Sequence, residues 1–109
     1  MRFFILFVLT GLLLVGFNVN AEDGIAVFES LHCGTCHKID TGKVNPSLKE
    51  ITQAYKGKEN QLQSYLKGEA ESIVNPEKGG MMKRYIEKTK VLKDEERKAL
   101  ADFILSHGD

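Results

Sequence analysis

The sequence has no tryptophan and only two cysteines, and its 15 lysines and arginines are matched by 15 aspartates and glutamates. Zero net charge removes the electrostatic case for a nucleic-acid binder, and two cysteines cannot supply a multi-thiolate zinc site. An alternating strand pattern, an internal repeat and a low-complexity tract are missing too, and 109 residues admit one domain. Aromatic residues are scarce where they matter. Of six phenylalanines, Phe3, Phe4, Phe7 and Phe17 lie in the first 21 residues, leaving Phe28, Phe103 and three tyrosines for a core. A remainder of about 88 residues buries only about 60–65% of its unfolded surface and is marginally stable on its own. Something other than side chains is therefore expected to fill this core.

What is present begins with a segment of different character. Residues 1–21 hold 15 hydrophobic residues and a single charge, Arg2. Arg2 supplies a positive start, Phe3 to Phe17 an apolar stretch, and Val19-Asn20-Ala21 small residues at the positions that precede a signal-peptidase cut. The segment reads as an export signal cleaved after Ala21, giving a domain of residues 22–109. An uncleaved anchor is disfavoured because the stretch falls short of the roughly 20 residues that span a bilayer. No cysteine follows closely enough for lipid modification. The expected location is the periplasm.

Along residues 22–109 the apolar spacing is helical. Ile25, Phe28 and Leu31 follow a candidate cap at Asp23. Asp40 to Pro46 is a loop; Leu48, Ile51, Ala54 and Tyr55 mark a second helix ending near Gly57, and Leu62, Tyr65 and Leu66 a third that stops near Gly68 or Pro76. Gly79-Gly80 breaks the chain. Asp94 to His107 carries the strongest pattern, with Leu100, Phe103 and Ile104 on one stripe, Ala101 and Leu105 beside it, and Glu95, Glu96, Arg97 and Lys98 on the other side. These signals predict an all-α fold of four or five short helices.

Cys33-Gly34-Thr35-Cys36-His37 is C-x-x-C-H, the attachment sequence for c-type haem. Two thiols one helical turn apart can add across the two vinyl groups of one porphyrin, and the adjacent His37 is then held beneath the iron. A thioredoxin-like pair would need a βαβ context, a zinc site would need more ligands, and a plain disulfide leaves His37 without a role. Export also places the cysteines where covalent haem attachment occurs. One covalent haem c would supply the missing apolar bulk.

With that motif in place, the chain resembles the small monohaem class I cytochromes c of bacteria over nearly all of residues 22–107. Gly24 and Phe28 match the glycine and aromatic of the family's N-terminal helix, and Leu100 and Phe103 the leucine and aromatic of its C-terminal helix. The resemblance implies that these helices cross around one haem, with Gly24 against the C-terminal helix near Phe103. Asn45-Pro46-Ser47-Leu48 is similar to the family's Gly-Pro-x-Leu segment, whose proline carbonyl accepts a hydrogen bond from the ligand histidine; Pro46 would then orient His37. Asn45 replaces the glycine, and asparagine tolerates positive φ better than other residues. Many members use a tryptophan toward a haem propionate; here Tyr55, Tyr65 or Tyr85 would have to substitute.

For the sixth ligand the candidates are His32, His107, Met81 and Met82. His32 is tethered beside Cys33 on the proximal side and is expected to be exposed, and His107 lies beyond the last stripe, solvated and favourable to the helix dipole. Met81 and Met82 follow Gly79-Gly80, with Met82 45 residues past His37, similar to the family's ligand loop. Members whose ligand precedes a lysine select Met82, with Met81 as the alternative. The resemblance thus implies an electron carrier with His/Met ligation, a far-red absorption band from sulfur–iron bonding, and no enzymatic activity. Redox partners such as a membrane cytochrome complex, a terminal oxidase or a reductase, and a monomeric state, complete the expectation. The competing possibility is a five-coordinate haem protein for gas binding or peroxide chemistry. Lys38, Lys43, Lys78, Lys83 and Arg84 flank the proposed haem-contacting segments and admit two readings, a guide for an acidic partner or ordinary solvated surface.

Overall fold

A computed structural model describes residues 21–41, 45–76 and 80–108. The apolar leader therefore lies outside the described residues apart from Ala21, as do Lys43 and Lys78. The described residues form five α-helices: α1 (Ala21–Ser30), α2 (Leu48–Ala54), α3 (Glu59–Leu66), α4 (Met82–Thr89) and α5 (Asp94–Ile104), with a 3-10 turn at Cys33–Thr35. No strand occurs among the described residues, and none of their helices is long and apolar enough to cross a membrane.

α1 and α5 form the most extensive helix pair. Their closeness depends on Gly24. A Cβ there would lie 2.2 Å from the Ala99 carbonyl oxygen and 2.8 Å from Phe103 Cβ, so only glycine lets the backbones approach this far. One turn on, the rings of Phe28 and Phe103 meet edge to face with centroids 5.0 Å apart, a favoured aromatic geometry. Leu100 and Ala101 are wholly buried beneath this crossing.

The expected cap at Asp23 is corrected: helix α1 already includes Ala21 and Glu22, so Asp23 lies within the helix rather than at its cap. α2 has the cap that α1 was expected to have. The Ser47 hydroxyl accepts from Glu50 N–H at 3.1 Å, and the Glu50 carboxylate accepts from Ser47 N–H at 2.9 Å, a reciprocal capping box. The buried Thr52 hydroxyl donates to the Ile104 carbonyl at 2.7 Å, tying α2 to the end of α5. α3 ends where Gly68 takes φ of 82°; Gly68 N–H donates to Tyr65 and Glu69 N–H to Ser64, the pairing of a Schellman stop.

α4 is the element that the sequence pattern above does not name. Met82, Tyr85, Ile86 and Thr89 fall at i, i+3, i+4 and i+7 and face inward, while Lys83, Arg84, Glu87 and Lys88 are exposed. Its presence alters the surroundings of α5. Arg97, expected on the outer face, is only 5% exposed, because the chain leaving α4 covers that face and its carbonyls accept from the guanidinium. His107 is half-buried rather than solvated, edge-on to the Phe103 ring at 5.0 Å, with Nδ1 donating to the Ile104 carbonyl at 3.2 Å.

Candidate functional site

The 3-10 turn that follows α1 is reached through His32, an exposed residue held at φ of 57°. This left-handed step turns the chain out of the α1 direction. The turn then closes on itself, with His37 N–H donating to the Cys33 carbonyl at 2.9 Å and Cys36 N–H to the same oxygen at 3.3 Å. Lys38 Nζ adds a bond to the Gly34 carbonyl at 2.9 Å. The backbone thereby brings Cys33, Cys36 and His37 to one wall of a single cleft.

That cleft has a volume of about 280 Å³. Phe28, Leu31, Ile51, Leu62, Leu66, Val74 and Leu100 give it apolar walls, and Met81, Met82 and Tyr85 line it as well. Every helix contributes.

His37 is oriented by the loop before α2. Its Nδ1 lies 2.8 Å from the Pro46 carbonyl oxygen; a carbonyl can only accept, so Nδ1 carries the proton and Nε2 keeps its lone pair. No hydrogen bond among the described residues engages Nε2. Backbone bonds from Leu48 to Lys38 at 2.7 Å and from Lys49 to Ile39 at 3.0 Å hold this loop beside the histidine. The capping box at Ser47 fixes the next residue along, so the position of Pro46 is determined from both directions.

The cysteines are free and half-buried. Burial pushes the Cys33 thiol up to about 11, opposed by a hydrogen bond from its own backbone and reinforced by the nearby Cys36. Exchange cysteines have lowered thiol pKa values, so Cys33 is poorly suited to thiol–disulfide chemistry at neutral pH. Of the tyrosines, Tyr55 is 1% exposed and its hydroxyl oxygen accepts from Ile73 N–H at 3.2 Å. The Tyr65 hydroxyl is raised by burial and by the proximity of Tyr55. Both line the cleft, as does Tyr85.

The candidate axial groups separate clearly. Met82 is half-buried at the first turn of α4, whereas Met81 is 74% exposed. His32 borders the cleft from the exposed side of the cysteine turn, and His107 is absent from its lining. Lys38, Lys83 and Arg84 are exposed.

An all-helical domain with paired thiols, a tautomer-fixed imidazole and apolar walls in one cleft fits a covalently held haem, and the family comparison agrees. The cytochrome c family matches residues 21–108, and the chain belongs to that family. It is 32% identical over 89 residues to cytochrome c-551 of Stutzerimonas stutzeri, covering 79% of this chain and 78% of that protein. The chain is accordingly a small class I monohaem cytochrome c with one covalently bound haem c, an electron carrier that works between redox partners.

Among the groups that hold this arrangement, the Ser47 cap is a residue that the sequence reading missed, although S-x-x-E before an apolar run signals it. The i, i+3, i+4, i+7 row of α4 was equally available.

Proposed function

We propose that the protein is an exported, periplasmic one-electron carrier whose haem c is joined to Cys33 and Cys36, with His37 and Met82 as axial ligands. The observation that carries this assignment is the convergence of Cys33, Cys36, His37 and Met82 on one apolar cleft. The greater burial of Met82 favours it over Met81. When bound, haem c supplies the iron that alternates between ferric and ferrous states.

The chain's own residues prepare that chemistry. Pro46 holds the His37 proton on Nδ1 and leaves Nε2 as the donor atom, and a fixed ring orientation keeps that donor in place in both oxidation states. The Met82 thioether is a soft, neutral donor that favours the ferrous state and raises the potential. Leu31, Ile51, Leu62 and Leu100 exclude water from the centre of the cleft, which also favours the form of lower charge. Side chains in both axial positions would leave the iron no open site for a substrate, in keeping with a carrier rather than an enzyme.

Residues 1–21 act as the export signal, which the composition of that segment supports. Exposed Lys38, Lys83 and Arg84 suit an acidic face on a partner such as a membrane cytochrome complex, a terminal oxidase or a reductase, with the carrier itself monomeric.

Haem staining after denaturing electrophoresis should follow the polypeptide and vanish when Cys33 and Cys36 are both replaced. The mass should correspond to a chain beginning at Glu22 plus one haem. Met82→Ala should abolish the far-red band and lower the potential, whereas Met81→Ala should retain the band. Loss of the band from Met81→Ala alone would move the ligand by one residue. Retention in both variants, with ready binding of carbon monoxide by the ferrous wild type, would favour five-coordinate gas or peroxide chemistry instead.

A further inference from the structure

Among the described helices α4 is the one that buries no apolar side chain fully against the rest of the chain; its one buried residue is Thr89. Among the described residues its one substantial helix partner is α3, and Met82, Tyr85 and Ile86 are half-buried where Leu100 and Ala101 of α5 are wholly buried. Polar groups anchor its other end. The Thr89 hydroxyl, 2% exposed as a residue, donates to the Leu66 carbonyl at the end of α3 at 2.6 Å. Arg97 reaches into the same space from α5. Its Nη1 donates to the Leu92 carbonyl at 2.8 Å and approaches the Thr89 carbonyl at 3.5 Å, while Nη2 pairs with Asp94.

A guanidinium leaves water only where fixed acceptors replace its hydration. Here those acceptors are carbonyls at and just beyond the C-terminal end of α4, the negative end of that helix's dipole. Arg97 is thus a cap delivered to α4 from a different helix. Met82 begins α4 and Thr89 ends it, a rod of about 10 Å by the helical rise. Restraining the last turn restrains the first.

We propose that Arg97, acting with Thr89, is a positioning residue for the axial methionine. The pair holds α4 against α3 and α5 and so sets the fraction of time that the Met82 sulfur leaves the sixth position. This rests on the His/Met ligation proposed above. Arg97 does not line the cleft, whereas Thr89 does, so the influence of Arg97 passes through the helix.

The test uses the ferric holoprotein with imidazole as an external ligand, which enters only when Met82 has left, so its apparent affinity reports that fraction. Arg97→Gln should bind imidazole about tenfold more tightly than wild type and show a weaker far-red band. Thr89→Val should move both readouts in the same direction, and it carries the test if Arg97→Gln does not fold. Arg97→Lys, which keeps the charge but loses the fork of donors, should recover part of the effect. Thr52→Val removes a buried hydroxyl remote from α4 and should lower global stability while leaving imidazole affinity unchanged. If Arg97→Gln and Thr89→Val lower stability but bind imidazole as wild type does, the role is structural only and the proposal is overturned. A wild type that lacks the band and binds imidazole as Met82→Ala does overturns the axial assignment, and the proposal with it, before any Arg97 variant is measured.

Discussion

The two walls of the cleft are held by different physics. On one side α1 and α5 cross so closely that a single added methyl at Gly24 would meet backbone at 2.2 Å, and the contact is sealed by Phe28, Phe103 and the wholly buried Leu100. On the other side α4 rests a half-buried row on α3 and depends on the Thr89 hydroxyl and the Arg97 guanidinium. Close packing is stiff because every displacement opens a void. A few hydrogen bonds can break and re-form locally. The wall bearing the cysteines and His37 belongs to the stiff half, and the wall bearing the methionines to the looser one. On the His37/Met82 ligation proposed above, that difference would pair a firmly held histidine side with a more readily displaced methionine side.

The contrast can be broken by substitution, beginning with the largest effect. Leu100→Ala, in the stiff half, should lower unfolding free energy by about 4 kcal/mol in a denaturant titration, against a much smaller loss for Ile86→Ala in α4. Equal losses would mean that α4 shares the central core after all. Gly24→Ala should cost about 2 kcal/mol, because the helices must separate to admit the methyl; a neutral result would show that the crossing is looser than its geometry indicates. Thr52→Val removes the shorter of the two side-chain bonds to the Ile104 carbonyl, leaving the one from His107, and should cost about 1 kcal/mol. Ser47→Ala, by removing the α2 cap, should cost about 1 kcal/mol. The Lys98 to Asp102 pair, 2.9 Å apart on the exposed face of α5, should change stability by less than about 0.5 kcal/mol when Lys98→Ala removes it. Hydrogen exchange sharpens the comparison directly: amides of α4 should exchange before those of α5.

Legibility in the sequence followed the same division. α1, α2, α3 and α5 were marked by apolar spacing, and the approach of Gly24 to Phe103 followed from the family resemblance. α4 went unnamed because its inward row mixes Met82, Tyr85 and Thr89 with a single aliphatic, Ile86, among charges. Arg97 was assigned to solvent on the ordinary rule that charged side chains of an amphipathic helix face outward. The rule failed because the acceptors that bury Arg97 come from Thr89 and Leu92, eight and five positions away but outside its own helix. A residue's helical phase shows which side it lies on, and nothing about what another helix brings there.

C-x-x-C-H by itself determined the cofactor chemistry, because two thiols and an imidazole within five residues are juxtaposed by local backbone alone. Helical periodicity likewise determined the fold class, since it acts through short-range geometry. Tertiary structure decided the rest. The His37 tautomer depends on a carbonyl nine residues away at Pro46. The difference in exposure between Met81 and Met82 depends on where α4 begins, and the burial of Arg97 on how α4 ends. Each of these requires two segments to meet, and a meeting is set by the summed packing of the whole domain rather than by any local run of residues.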